Sequence, residues 1–328
     1  MSSNARVLNI PKPKQQPLPQ LSFVIPAYNE EDNIAETIQR VQTEATRLRI
    51  PHEILVVDDG SKDDTLARAK SMCASAPVRT LRLSRNFGKE QAIMAGLTHA
   101  QGAAVIILDA DLQEPLSHLE TMISHHKDGY EMVYATRAHR DDEPLSKRVF
   151  TGMFYRLMSF GSDIHIPRDA RDFRLMDRCV VDALCALPER DRFMKGLYGW
   201  VGFKSIAVPI ELEKRQYGRS KFGLAGLFKL AVTGLTSFTS WPLRVWTVLG
   251  TSVALMSIFY GIWIAVRTML FGVDVPGWST LVVATSLLGG VQLISIGVLG
   301  EYLSRVFTEV KGRPGFIVAE NYAANEDE

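Results

Sequence analysis

Residues 105–115 read Val-Ile-Ile-Leu-Asp-Ala-Asp-Leu-Gln-Glu-Pro, an apolar run that ends in two aspartates. The run 105–109 predicts a buried strand. Four further runs of this kind predict strands at 21–25, 54–58, 78–83 and 132–136. Helical patterns lie between them at about 31–48, 64–74, 88–100 and 116–127. Strands that alternate with helices predict an α/β fold with a doubly wound, mostly parallel sheet.

Polar clusters lie at the carboxyl ends of three predicted strands, at 26–30, 58–61 and 109–111. In a doubly wound sheet, ligands bind in the crevice along this edge. A dinucleotide-binding protein would carry G-x-G-x-x-G after its first strand, but 26–32 contains no glycine, and the chain has no P-loop. The sequence therefore disfavours oxidoreductases and nucleoside triphosphatases.

Asp109 and Asp111 are two residues apart at a strand end, so an extended backbone would point both carboxylates to the same side. Gln113 continues this alternation. Oxygen ligands of this kind suit Mg²⁺ or Mn²⁺, which bind one or two carboxylates together with substrate phosphates. The alternative is that Asp111 caps the helix that Pro115 begins. Capping explains one aspartate but not the pair.

Asp58 and Asp59 end the second strand, where their carboxylates can accept hydrogen bonds from a base N–H or from ribose hydroxyls. Ser61 and Asp64 predict a capping box for the next helix. These four residues therefore divide into two candidate ligand contacts and two helix-capping residues.

The segment 85–90, Arg-Asn-Phe-Gly-Lys-Glu, opens another predicted helix. The free N–H groups of a helix start favour phosphate, so Lys89 is a candidate contact to a diphosphate. The alternative is a solvated lysine at a helix start.

The composition excludes other classes of protein. Lys and Arg (37) nearly balance Asp and Glu (36), whereas nucleic-acid-binding domains usually carry a basic excess. The cysteines, Cys73, Cys179 and Cys185, have no metal-ligand spacing and predict reduced thiols. Residues 1–20 are rich in proline and lack an apolar core, which predicts a disordered cytoplasmic segment and no signal peptide.

After a soluble domain at 21–221, the region 244–304 is strongly apolar. Two uncharged stretches, at about 245–266 and 276–300, exceed the ~20 residues that cross a bilayer as a helix, and the short turn 267–274 predicts a hairpin. The alternative is a pair of buried core helices. Segment 222–243 has an apolar and a polar side, which predicts amphipathic helices in the membrane interface.

Basic residues predict the orientation of the hairpin, because positive charges stay on the cytoplasmic side. They flank it at Arg215, Arg219, Lys221, Lys229, Arg244, Arg305, Lys311 and Arg313, whereas only Arg267 lies in the turn. The soluble domain and the tail 305–328 are therefore expected in the cytoplasm of a cell whose inner membrane holds the hairpin.

The ordered motifs PAYNEE, VVDDGS, RNFGKE, DADLQEP, YATR, DFRLMDR and RFMKG resemble those of family 2 glycosyltransferases with the GT-A fold. Within that family the chain is most similar to the polyprenyl-phosphate glycosyltransferases of the GtrB type, and more distantly to dolichol-phosphate mannose synthases. The resemblance extends from about residue 21 to about 316. It implies inverting, metal-dependent transfer of one sugar from a nucleotide-sugar to polyprenyl (undecaprenyl) phosphate. The Q-x-x-R-W motif of processive synthases is absent from the chain.

The resemblance also assigns residues. It implies metal ligation by Asp109, Asp111 and Gln113, with Asp111 also counted as catalytic. It implies nucleotide-sugar contacts for Pro26, Tyr28, Glu30, Asp58, Asp59, Gly88, Lys89 and Asp109. Glu114 stands where the family commonly has aspartate or histidine, and this departure is expected to have little effect.

Asp172 aligns with the family's carboxylate near the reaction centre. Its role is left open between orienting the acceptor, hydrogen-bonding the sugar and joining the metal shell, and the alternative is a structural salt bridge with Arg171 or Arg174. The acceptor phosphate would meet arginine or lysine, for which the candidates are Arg137, Lys147 and Arg148.

The resemblance makes UDP-glucose the first expectation for the donor, ahead of UDP-linked amino sugars and GDP-mannose. Membrane lipids are expected partners and nucleic acid is not, while a homo-oligomer stays open. The competing function is a catalytically silent membrane scaffold that keeps the nucleotide pocket. Loss of an acidic motif would favour the scaffold, but all of these motifs are intact.

Overall fold

The computed structural model describes residues 21–74, 77–111, 113–137, 170–190, 192–211, 241–271 and 277–323. The predicted disordered segment 1–20 and most of the predicted interfacial segment, 222–240, lie outside the described residues. The helices are α1 (Ile34–Arg47), α2 (Thr65–Met72), α3 (Lys89–His99), α4 (Leu119–Lys127), α5 (Arg178–Ala186), α6 (Met194–Trp200), α7 (Trp241–Phe271) and α8 (Trp278–Val310).

Eight strands form one sheet in the order β7-β5-β6-β4-β1-β2-β3-β8. They are β1 (Leu21–Ala27), β2 (His52–Asp58), β3 (Val78–Leu83), β4 (Ala104–Ile107), β5 (Met132–Arg137), β6 (Ala170–Asp177), β7 (Ser205–Ile210) and β8 (Val318–Ala323). Strands β1 to β4 pair in parallel, whereas β6 lies antiparallel between β4 and β5. The predicted mostly parallel, doubly wound sheet is confirmed in its central strands.

Two apolar layers cover the sheet. Buried side chains of α1, α2 and α4 pack on one face, and those of α3, α5 and α6 pack on the other. The central strands β1 and β2 are buried on both faces, which explains their continuous apolar runs. This three-layer arrangement aligns the carboxyl ends of β1, β2 and β4 along one edge.

Three strands, β6, β7 and β8, were not predicted from the sequence. β6 carries Arg171, Asp172 and Arg174 among its apolar residues, and β7 and β8 lie at the two edges of the sheet with half-exposed side chains. Their alternation of apolar and polar residues is too short or too interrupted to predict a strand. β4 also ends earlier than predicted, at Ile107, so Asp109 lies in the following turn and not in the strand.

Helices α7 and α8 occupy the predicted hairpin region and carry many exposed apolar side chains, among them Phe259, Met269 and Leu293. Within the described residues, one helical segment, Leu287–Val310, is both long and apolar enough to cross a membrane. Residues 267–271 of the predicted turn belong to α7, which continues to Phe271, and residues 272–274 lie outside the described residues.

Candidate active site

The loops after β1 and β2 hold each other in place. The Asn29 amide donates to the Ser61 hydroxyl (3.0 Å), and the Lys62 amide donates to Asn29 Oδ1 (3.0 Å). The predicted capping box is therefore wrong: Ser61 binds the first loop, and over the described residues Asp64 forms no side-chain cap on α2. The family motif residues Pro26, Tyr28 and Glu30 lie in or directly after β1 beside this contact.

Asp59 fixes the loop that leads into α3. Its buried carboxylate accepts from the Phe87 amide (2.7 Å) and the Gly88 amide (2.9 Å). Gly60 has φ +68°, and a Cβ there would lie 2.6 Å from the Arg85 carbonyl carbon, so only glycine fits this turn. Both carboxylate oxygens of Asp59 therefore accept hydrogen bonds from the loop backbone. The sequence did not predict this structural role.

Of the two adjacent aspartates, Asp58 is the one that keeps a carboxylate oxygen for a nucleotide contact, because both oxygens of Asp59 accept loop amides. Its side chain is almost fully buried, and one oxygen accepts from the Ser61 amide at 3.1 Å. The other oxygen, Oδ2, lies 3.9 Å from Arg82 Nε and has no hydrogen-bond partner among the described residues. Burial raises the pKa of Asp58 above its ordinary value. A buried acceptor without a donor is costly, so a ligand N–H or O–H at this position would be stabilising.

Lys89 bridges two carboxylates. Its Nζ lies 2.6 Å from Asp109 Oδ1 and 2.5 Å from Asp172 Oδ2. Burial alone would raise the pKa of Asp172, but Lys89 and then Lys195 outweigh burial and hold that pKa below its usual range. Asp172 is therefore ionised and pairs with Lys89. Within the described residues, the alternative salt bridge with Arg171 or Arg174 is not formed.

Asp109, Asp111 and Gln113 follow β4 in a turn. The Gln113 amide donates to Asp111 Oδ1 (3.3 Å), and Asp111 is 7% exposed. The interpretation of Asp111 as a helix cap is wrong, because neither the 3-10 turn 116–118 nor α4 has a side-chain cap within the described residues. The turn, and not strand alternation, brings the two carboxylates to the same edge.

The protein oxygens of this turn suit a divalent cation whose coordination shell is completed by oxygens of a bound ligand. In the part of the chain that the structure describes, no three His, Cys, Asp or Glu side chains form a closed metal cluster. Asp109 and Asp111 supply hard oxygens, and the Lys89 ammonium between Asp109 and Asp172 already pairs a positive charge with two carboxylates. Two carboxylates completed by phosphate oxygens are typical of Mg²⁺ sites. The residues therefore fit Mg²⁺ or Mn²⁺ bound together with a diphosphate.

Glu114, the departure from the family pattern, has a structural role beside Asp109. Its carboxylate is buried and accepts from the Asp109 amide at 3.1 Å, so it shapes the turn that holds Asp109. Burial, followed by the negative charge of Asp109, raises the pKa of Glu114 to about 8. Glu114 is therefore largely protonated at neutral pH and adds little charge to the site.

Glu90 and Tyr198 belong to the same region and were missed. Glu90 accepts from the Met194 amide (3.3 Å), and burial followed by the charge of Asp172 raises its pKa to about 7. The guanidinium of Arg174 lies 3.4 Å from the centre of the Tyr198 ring. Glu90 stands next to Lys89 in a family motif, which is the one signal that could have identified it. Tyr198 offers none.

Of the three basic residues predicted to bind the acceptor phosphate, the structure describes one. Arg137 ends β5, next to β6, which carries Asp172. Lys147 and Arg148 lie outside the described residues.

Comparison with known families identifies this arrangement. The model described as Glycosyl transferase family 2 matches residues 22–185, which include every acidic cluster at the sheet edge. The chain belongs to glycosyltransferase family 2. The model described as GtrB C-terminal hairpin matches residues 241–306, the region of α7 and α8. This family 2 enzyme therefore combines a GT-A catalytic domain with a GtrB-type hairpin.

Relatives match almost the whole chain, and two of them illustrate this. An uncharacterized glycosyltransferase of Synechocystis sp. is 46% identical over 92% of this chain and 95% of its own length. The bactoprenol glucosyl transferase of Shigella phage SfII is 42% identical over 93% of this chain and 99% of its own length. The similarity therefore includes the hairpin as well as the catalytic domain.

Among solved structures, glucosyl-3-phosphoglycerate synthase from Mycobacterium tuberculosis matches with a TM-score of 0.44 and 20% identity. The match covers 66% of this chain and 78% of the synthase.

Proposed function

We propose that this family 2 glycosyltransferase moves one glucose from UDP-glucose to a polyprenyl phosphate and inverts the anomeric configuration. The observation that carries the proposal is the 42% identity to a bactoprenol glucosyl transferase, which extends across both the catalytic domain and the hairpin. The acidic edge of the sheet supports it, since Asp58, Asp111 and the Lys89–Asp172 pair lie where a nucleotide-sugar would bind.

The donor would lie across the carboxyl ends of β1, β2 and β4. Asp58 would accept a hydrogen bond from the base or ribose, and the start of α3 at Gly88 and Lys89 would face the diphosphate. Asp109, Asp111 and Gln113 would hold Mg²⁺ or Mn²⁺, which when bound neutralises the departing nucleoside diphosphate. Lys89 adds a second positive charge beside that leaving group.

The acceptor requires no strong base, because the second pKa of a phosphate monoester is ~6 and the dianion is already a nucleophile. Arg137, with Lys147 and Arg148, would bind this dianion and aim one oxygen at the anomeric carbon. Asp172 stays ionised beside Lys89, so it is suited to orient sugar hydroxyls or the lysine and not to donate a proton.

The sheet itself supports a two-span topology. Strand β8 follows α8 and pairs with β3 of the catalytic domain, so the chain leaves the catalytic domain before α7 and rejoins it after α8. Two crossings satisfy this return, whereas three would place β8 across the membrane from β3. Together with the basic flanks, this return supports our proposal that the catalytic domain lies on the cytoplasmic surface.

Single cysteines should report this topology in a background without the three native cysteines. We expect Val273→Cys to react with an impermeant thiol reagent in intact cells, because the turn reaches the far side. Asn321→Cys should stay unlabelled until the cells are permeabilised, although its side chain is exposed in the folded domain. Labelling of both positions from outside would rule out the hairpin.

The reaction is tested directly by a transfer assay with purified protein, polyprenyl phosphate, Mn²⁺ and a panel of nucleotide-sugars. We expect labelled polyprenyl-phosphate glucose from UDP-glucose, with the product's anomeric configuration opposite to the donor's by NMR. Transfer only from a UDP-amino sugar or GDP-mannose would replace the sugar and keep the reaction. Nucleotide binding without transfer from any donor would favour the silent scaffold.

A further inference from the structure

The residues that follow the membrane hairpin return to the catalytic domain as a strap, residues 309–323. Its strand β8 extends the sheet beyond β3, and the Ser84 amide donates to the Ile317 carbonyl at 2.9 Å. Glu320 in β8 accepts from Lys70 (2.6 Å) and Arg82 (3.0 Å). Gly312, at φ +66°, makes the turn that ends α8. Residues 311–323 of the predicted cytoplasmic tail therefore pack on the catalytic domain.

Arg190 joins the strap to the loop between α5 and α6. Its amide donates to Glu309 Oε1 (2.8 Å), and its guanidinium donates to the Arg313 carbonyl (2.7 Å) and the Glu309 carbonyl (3.2 Å). A cation at the carboxyl end of a helix also meets the negative end of the helix dipole. One side chain thus binds the last turn of α8 and the first residues beyond it.

Gln91 continues the connection into the active site. Its side-chain amide donates to the Arg190 carbonyl at 2.7 Å. A Cβ on Gly315 would lie 2.3 Å from Gln91 Oε1, so the strap and Gln91 are packed in direct contact. Gln91 stands in the first turn of α3, two residues after Lys89, which binds Asp109 and Asp172. Direct contacts therefore lead from the end of α8 to the candidate reaction centre.

We propose that Arg190 is a positioning residue that fixes the hairpin relative to the catalytic crevice. The inference rests on the proposed function, in which the phosphate of a membrane-bound acceptor lies at the level of the lipid headgroups. Such an acceptor has little freedom to move towards the crevice, so the crevice has to be held at the acceptor's height. A misplacement of about 1 Å can reduce a rate by ~100-fold. Arg190 holds α8, through Gln91, in a fixed relation to Lys89.

Arg190→Ala should separate membrane-bound from soluble acceptors. With long-chain polyprenyl phosphate in vesicles, we expect kcat/KM to fall by about 10- to 100-fold. With a short-chain, water-soluble polyprenyl phosphate, the loss should be much smaller, and binding of UDP should be unchanged. Arg47→Ala, which removes an exposed arginine with its own surface ion pairs on α1, is the matched control. Equal losses on both acceptors would overturn the proposal.

A distance measurement gives a readout that needs no substrate. Spin labels on Lys127 in α4 and Leu303 in α8, both exposed, should give a narrow distance distribution in the parent protein and in Arg47→Ala. The distribution should broaden in Arg190→Ala and in Glu309→Gln, which keeps the shape of the side chain. An unchanged distribution in both variants refutes the positioning role. A broadened distribution in an enzyme that never uses polyprenyl phosphate would instead refute the proposed function and leave the coupling intact.

Discussion

Asp111→Asn is expected to reduce transfer by about 100-fold or more, because it removes a negative charge from the proposed metal site. The substitution keeps the size of the side chain, and an asparagine Oδ1 can still accept from the Gln113 amide. The fold should therefore survive. Initial transfer rates at saturating UDP-glucose and Mn²⁺, compared with the midpoint of thermal unfolding, measure the two effects separately.

Asp128→Asn is the control for this prediction, because Asp128 is an exposed carboxylate just after α4. It should change neither rate nor unfolding temperature. Excess chelator should stop the parent enzyme to the same extent as Asp111→Asn. Full activity in chelator, or in the variant, would remove the metal from the mechanism.

Lys89→Met should change two measurements in opposite directions. Transfer should fall by about 100-fold, since a positive charge beside the leaving group is lost. Binding of Mn²⁺ in the absence of nucleotide should become tighter, because Asp109 and Asp172 lose the ammonium that bridges them and gain affinity for another cation. Titration of the purified protein with Mn²⁺, followed by electron paramagnetic resonance, measures the second effect without any catalysis.

Two further lysine variants make this test specific. Lys127→Met removes an exposed lysine at the end of α4 and should leave both measurements unchanged. Lys89→Arg keeps the charge and should retain the parent's Mn²⁺ affinity while losing part of the rate. Weaker Mn²⁺ binding in Lys89→Met would show that the lysine supports the cation site and does not compete for it.

The sequence determined the central sheet, because each strand from β1 to β5 is a local apolar run bounded by polar residues. Burial on both faces leaves that signature in consecutive residues, and it needs no knowledge of the partner strand. The same locality predicted the acidic edge, since Asp58 ends β2 and Asp109 and Asp111 lie within four residues of the end of β4. The hairpin region of α7 and α8 was predicted for the same reason, because a long uncharged stretch is also a signal in consecutive residues.

The tertiary structure alone decided how these charges are paired. Lys89 and Asp172 are 83 residues apart, and Arg190 and Glu309 are 119 apart. Strand β8 has a polar sequence that predicts no strand, and it becomes one because the exposed edge of β3 offers unpaired backbone groups to it. Local periodicity records which residues are buried. The pairing of distant charges is set by the geometry of the assembled sheet, because a desolvated carboxylate such as Asp172 depends on a partner brought from elsewhere in the chain.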